Sequence, residues 1–135
     1  MKLITRDTDY ALRAICFIAK NKKTIVSVKE LVGKLEIPRP FLRKILQVLN
    51  RKKILKSHKG AGGGFVLLKP AKEIFLIDLI RIFQGPLVLN ECLFKKMLCP
   101  NIKTCPLRKK LDKIERLVLR ELGSITIASL LGADK

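Results

Sequence analysis

Apolar residues recur along this chain at two periods, and the switches between them divide it into elements. Over residues 8–20, Ala11, Leu12, Ile15, Ile18 and Ala19 fall on one face at helical spacing. Asp7 or Thr8 is placed to cap the start of that helix, and Asn21-Lys22-Lys23 to end it. A shorter helix is predicted over 27–35, with Val28, Leu31, Val32 and Leu35 as its buried stripe. Ser27 followed by Glu30 gives it a capping-box pattern. Glu36-Ile37-Pro38 reads as a turn, and residues 39–52 as a third helix. Pro40 is tolerated in its first turn, where no backbone donor is needed. Phe41, Leu42, Ile45, Leu46 and Leu49 are predicted to face inward, which leaves Arg39, Arg43, Lys44, Arg51 and Lys52 outside.

The pattern then shortens. Ile54-Leu55 and Phe65-Val66-Leu67-Leu68 are brief apolar runs on either side of Lys56-Ser57-His58-Lys59-Gly60-Ala61-Gly62-Gly63-Gly64, a hairpin with a basic, glycine-rich tip. Residues 74–84 return to helix and stop at Gly85-Pro86. Pro106 opens a long helix that runs to about residue 122, and Gly123 ends it. Within it Leu107, Leu111, Ile114 and Val118 repeat at four-three-four spacing with Leu117 beside them, a seam that suits a partner helix. A last short helix, 126–131, carries Ile127, Leu130 and Leu131. The predicted fold is mainly α with a small β-hairpin wing: a winged helix-turn-helix over residues 1–70, followed by a long helix. The length of 135 residues suits one domain.

Charge narrows the partner. Twenty-nine Lys and Arg oppose eleven Asp and Glu, a net +18, so a polyanion is the expected ligand. Residues 29–59 concentrate it, with ten basic residues against Glu30 and Glu36. Arg39, Arg43 and Lys44 lie in the half of the third helix that reaches base edges in the major groove. With Arg51, Lys56, His58 and Lys59 they form the predicted interface to a double-stranded DNA operator. Gly62 and Gly63 let the wing tip approach the sugar-phosphate backbone. A phosphate-loop reading of these glycines fails, since no Gly-Lys-Ser/Thr follows and strands flank the segment on both sides. No leader segment is expected, because charge interrupts Met1–Asp7 before an apolar stretch forms. No apolar run approaches the ~18 residues that cross a bilayer. The expected location is the cytoplasm, with no membrane partner.

The cysteines add a second chemistry. Cys92, Cys99 and Cys105 lie in one stretch with six and five residues between them, and Cys99-Pro100 and Cys105-Pro106 break helix around them. In a reducing compartment such clustered thiols read as metal or redox ligands. Lys95, Lys96 and Lys103 stand close by in sequence, and cations favour the thiolate that binds metal. Zinc is disfavoured, because zinc sites use cysteine pairs two to four residues apart. Cys16, in a helix among Ile15, Phe17 and Ile18, reads as core.

Met1-Lys2-Leu3 leading to Asp9-Tyr10-Ala11-Leu12-Arg13, then Lys59-Gly60-Ala61-Gly62-Gly63-Gly64-Phe65, then three cysteines, resembles the Rrf-two family of bacterial transcription regulators, in its iron–sulfur branch. The likeness spans nearly the whole chain. It implies a homodimer of winged helices joined through the helix at 106–123. It also implies a 2Fe–2S or 4Fe–4S cluster on the loop at 90–106, held by Cys92, Cys99 and Cys105, whose state sets DNA affinity. Iron–sulfur clusters usually take four ligands. One branch places a histidine three residues after the last cysteine, but here that position is Arg108. A nitric-oxide-sensing branch uses an aspartate from the first helix of the other subunit, which makes Asp9 the candidate fourth ligand, with Asp7 and Glu91 as fallbacks.

The expectation is therefore a transcriptional repressor that senses nitric oxide, redox state or iron through a cluster. Two alternatives stand beside it: a cluster-free regulator working by thiol oxidation, and a basic RNA-binding module. The latter is disfavoured because most of the six Phe and the one Tyr sit at core positions, not as stacking platforms. An enzyme is not expected from one histidine and no nucleophile–base pair.

Overall fold

A computed structural model describes residues 2–21, 25–87 and 105–132. The element order is α1 (Arg6–Lys20), α2 (Val28–Leu35), α3 (Arg39–Arg51), β1 (Leu55–His58), β2 (Gly64–Leu67), a single 3-10 turn (Ala71–Glu73), α4 (Leu76–Gln84), α5 (Pro106–Gly123) and α6 (Ile127–Leu130). Fold class and element order are those the hydrophobic pattern predicts: mainly helical, with one antiparallel hairpin.

The main core lies where α1, α2 and α3 meet the hairpin. Ala11, Ala14 and Ile15 of α1, Leu31 of α2, and Leu42, Leu46 and Leu49 of α3 are buried together with Val26, Ile37 and Leu55. Cys16 packs partly buried against this cluster, as read from the sequence. Ser27 Oγ accepts the Glu30 N–H at 3.0 Å, and the Glu30 carboxylate accepts from Asn21 Nδ2 at 3.0 Å. This side-chain bond fastens the end of α1 to the start of α2.

The turn between α2 and α3 depends on Glu36 in the left-handed region at φ 56°. Lys53 does the same after α3, at φ 61°. Its N–H bonds Asn50 O while the Ile54 N–H bonds Leu49 O, the two bonds of a Schellman stop. The chain therefore leaves α3 sharply and enters β1.

The hairpin pairs Leu55 with Leu67 and His58 with Gly64. It is held at three places. Val26 exchanges both backbone bonds with Phe65 (3.0 and 2.8 Å), the Leu68 N–H reaches Ile54 O (2.9 Å), and the Ser57 N–H donates to Asn50 Oδ1 (3.2 Å). Gly64 lies against the Val26 carbonyl, with no room for a Cβ.

A second, smaller cluster joins Leu76, Ile77 and Ile80 of α4 to Leu119 and Leu122 of α5 and to Ile125. α6 is tied in by the Ile127 N–H to Ile74 O, and Thr126 and Ser129 complete a capping box at its start. Among the described residues no helix is long and apolar enough to cross a membrane.

Two expectations need correction. The N-cap of α1 is Thr5, not Asp7 or Thr8. Thr8 is fully buried, and its hydroxyl donates to Gln84 Oε1 at 2.7 Å. Phe41 does not face inward: it is 42% exposed, and the Arg6 guanidinium lies 4.7 Å from its ring centre. It stands on the flank of α3 nearest α1, and a flat ring beside a cation gains from that position without burial.

Candidate nucleic-acid interface and thiol site

α3 is the most strongly two-sided of the described helices. Leu42, Ile45, Leu46 and Leu49 are buried, while Arg39, Arg43, Lys44, Gln47, Asn50 and Arg51 are exposed. Residues 43, 47, 50 and 51 share one strip, because positions three and four apart lie one above another. No acidic residue occurs between 39 and 51. Lys56, His58 and Lys59 are exposed on the hairpin. Among the described residues none of the cations of α3 or the hairpin is paired with a carboxylate; the ion pairs lie on α1, α4 and α5. The head therefore offers unneutralised positive charge on a rigid support, which phosphate binding requires.

Helix and hairpin enclose a groove of about 430 Å³ lined by Arg43, Gln47, Asn50, His58 and Lys59, among others. The structure thus brings Arg43, His58 and Lys59 to one concave surface. Arg39, Lys44, Arg51 and Lys56 are exposed on the same two elements outside it. At the hairpin tip the Gly63 N–H returns to Gly60 O at 3.0 Å, with Gly62 at φ 75°. A Cβ on Gly63 would collide with the His58 and Gly60 carbonyls. These glycines therefore have a reason within the turn itself, beyond any approach to a ligand.

Gln47 was missed in the sequence reading. The signal was present, because Gln47 stands four residues after Arg43 and four before Arg51, on the same strip. Arg6 was also missed: its guanidinium lies 4.7 Å from the ring centre of Phe41 and 5.9 Å from that of Tyr10, bridging α1 to the start of α3.

The other candidate centre is partly described. Cys92, Cys99 and the fallback Glu91 lie outside the described residues, as do Lys95, Lys96 and Lys103. Cys105 is the N-cap of α5, half-buried and extended, with its carbonyl accepting from the Lys109 N–H. Asp9, in the first turn of α1, keeps half of its side chain in solvent and lies 4.0 Å from Arg13 Nη1. Asp7 lies 3.7 Å from Arg6 Nε. Arg108 pairs with Asp112 at 3.9 Å, so the position where one branch has histidine carries an engaged cation. Thiols and a half-exposed carboxylate are a donor set that suits iron. Among the described residues no three metal-ligating side chains gather.

Gln84 links the two regions. Its Oε1 accepts from the Thr5 N–H (2.9 Å) and the Thr8 hydroxyl, and its Nε2 donates to Leu3 O (3.2 Å). It is the last residue of α4, before Gly85-Pro86 and the cysteine stretch. The entry to that stretch is thus fastened to the start of α1.

α5 has no buried residue along eighteen. Leu119 and Leu122 pack on α4, but Leu107, Ile114 and Leu117 are 64%, 50% and 50% exposed. Among the described residues, three positions of the predicted seam are thus exposed, while Leu111 and Val118 are partly buried.

Known proteins carry the same arrangement. The transcriptional regulator NsrR of Oceanobacillus iheyensis is 31% identical over 126 residues, covering 92% of this chain and 86% of that one. The fold superposes on CymR, the global cysteine regulator of B. subtilis, with a TM-score of 0.82 and 25% identity, covering 98% of both chains. It matches IscR of T. potens at 0.74 and 23% identity over 100% of this chain and 89% of that one, a likeness of fold alone. A family model described as iron-dependent transcriptional regulator matches residues 4–133. The exposed cationic helix, the glycine-tipped hairpin and this match over almost the whole length agree: the chain belongs to the Rrf2 family of transcriptional regulators.

Proposed function

We propose that this regulator is a cytoplasmic homodimeric repressor whose grip on a DNA operator is set by an iron–sulfur cluster. Cys92, Cys99 and Cys105 hold the cluster, and Asp9 of the first helix completes the site across the dimer. The position of Cys105 carries the proposal. The last cysteine of the trio occupies the N-cap position of α5, the helix whose apolar positions Leu107, Ile114 and Leu117 are exposed among the described residues. Any change at the thiols therefore acts directly on the helix that joins the two copies. The family's description as iron-dependent supports the same reading.

The cluster, when bound, supplies a redox- and nitric-oxide-sensitive centre. The chain's own part is mechanical. α5 packs on α4 through Leu119 and Leu122, and Gln84 fastens α4 to the start of α1. Arg6 stacks on Phe41 at the start of the reading helix. Two such heads on one duplex must match half-sites about one helical turn apart, so a small rotation between them changes affinity greatly.

The test is oxygen-free reconstitution with iron and sulfide counted per chain. Stoichiometric iron and sulfide with a visible charge-transfer band are expected, both lost in Cys105→Ala. A colourless protein without iron removes the cluster.

A second reading is kept by the likeness to a cysteine regulator at TM-score 0.82. Two thiols of the trio would pass two electrons and two protons to peroxide, forming one disulfide and water. A peroxide response that persists without iron and disappears on Cys92→Ala or Cys99→Ala would select it.

A further inference from the structure

We infer that Gln47 reads an adenine in the operator, close to a guanine read by Arg43, which stands one α-helical turn before it on α3. The inference rests on the α3 face being the duplex-reading surface. On that face Gln47 is the neutral side chain with both its donor and its acceptor open among the described residues. Asn50, the other amide, has its oxygen occupied by the Ser57 N–H at 3.2 Å and holds the hairpin in place. The Gln47 amide has no partner among the described residues, and it opens into the groove between helix and hairpin.

The chemistry of the strip assigns the bases. Arg43 and Arg51 flank Gln47 and carry only donors, which suit the paired acceptors of guanine, O6 and N7. A glutamine amide carries one donor and one acceptor side by side. That matches adenine, whose major-groove edge shows the N7 acceptor next to the N6 donor. Against guanine the Gln47 carbonyl would face O6, acceptor against acceptor. Cations that meet phosphates instead of base edges attract any duplex equally, so they supply affinity without choosing a sequence. Gln47 converts that attraction into a choice at one position. Residues four apart rise ~6 Å along a helix, on the order of two base steps of ~3.4 Å. The two bases therefore lie within about two steps of each other in each half-site.

The experiment is selection from a random duplex pool by the full chain, run both reconstituted without oxygen and cluster-free. It is repeated with Gln47→Ala, Gln47→Lys and Arg43→Ala. In the wild type each half-site should show a fixed guanine and a fixed adenine close together. Replacing that adenine by guanine should weaken binding roughly 10- to 100-fold. Gln47→Ala should abolish the preference at the adenine and leave the guanine. Gln47→Lys should exchange adenine for guanine there, and Arg43→Ala should free the guanine position. If both Gln47 variants select the wild-type sequence at every position, the assignment is overturned while DNA binding stands. If the wild type enriches nothing in either form, the duplex-reading surface itself is wrong and the assignment fails with it.

Discussion

The head formed by α2, α3 and the hairpin and the region built on α4 and α5 solve opposite problems. The head is closed inward and open outward. Its core residues Leu31, Leu42, Leu46 and Leu49 are buried, its hairpin is held at three places, and among the described residues its cations have no carboxylate partner. The α5 region is the reverse. Among the described residues its helix α5 buries none, Leu107, Ile114 and Leu117 are at least half in solvent, and Arg108 is already paired with Asp112. A surface that binds a polyanion can be finished within one chain, because exposed charge costs little in water. A surface that binds an apolar helix is finished only when a partner covers it, which in the proposed dimer is a second copy.

The largest effect should come from the unfinished side. Leu117→Asp places a charge in the uncovered seam without touching the head. It is expected to leave monomers in sedimentation and to weaken DNA binding roughly 100-fold or more, since two linked half-sites gain by effective concentration. A variant that remains dimeric would show that the seam joins nothing.

Next in size is the link between the two regions. Gln84→Leu leaves the buried Thr8 hydroxyl and the Thr5 N–H without their acceptor. The expected cost is about 1–3 kcal/mol, read as a lower urea midpoint with unchanged slope. Unchanged stability would mean that water replaces Gln84 at no cost.

Much of this contrast was legible in the sequence. The three helices of the head, the hairpin and α5 follow from local periodicity. Ser27, Pro40 and Gly85 mark boundaries by local backbone chemistry, and the structure places them where the pattern did. What escaped the sequence was set at long range. Thr8 looked like a cap because the residue that buries it, Gln84, is 76 positions away. Phe41 looked like core because hydrophobicity alone cannot show that Arg6 waits beside an exposed ring. Gln47 was hidden by louder neighbours, since a neutral amide among cations breaks no pattern. Residues 90–106 are legible only as chemistry, through their cysteine spacing.

On the finished side the effects are smaller and differ in kind. Lys59→Ala should weaken binding about equally for all sequences and lower the slope of log affinity against log salt by ~1. A loss confined to particular sequences would place Lys59 at a base edge instead.

The smallest effect concerns Cys16. Burial raises its thiol above the usual cysteine range, against the lowering effect of Lys20. The folded chain then holds a proton that the unfolded chain releases, so stability is full below the ordinary thiol pKa and falls as pH rises above it. Cys16→Ala should flatten the alkaline end of the stability–pH profile, measured by urea midpoint at pH 8 to 10. An unaltered profile would place its cause elsewhere.

The central claim is that the thiols at 92, 99 and 105 govern the grip of the paired heads on DNA. The direct measurement is a gel-shift titration of one operator duplex with the same protein before and after the cluster is removed by nitric oxide or chelation. The account predicts at least a tenfold change in affinity, absent in Cys105→Ala. Equal affinity in both states, with iron present in one and gone in the other, would contradict it.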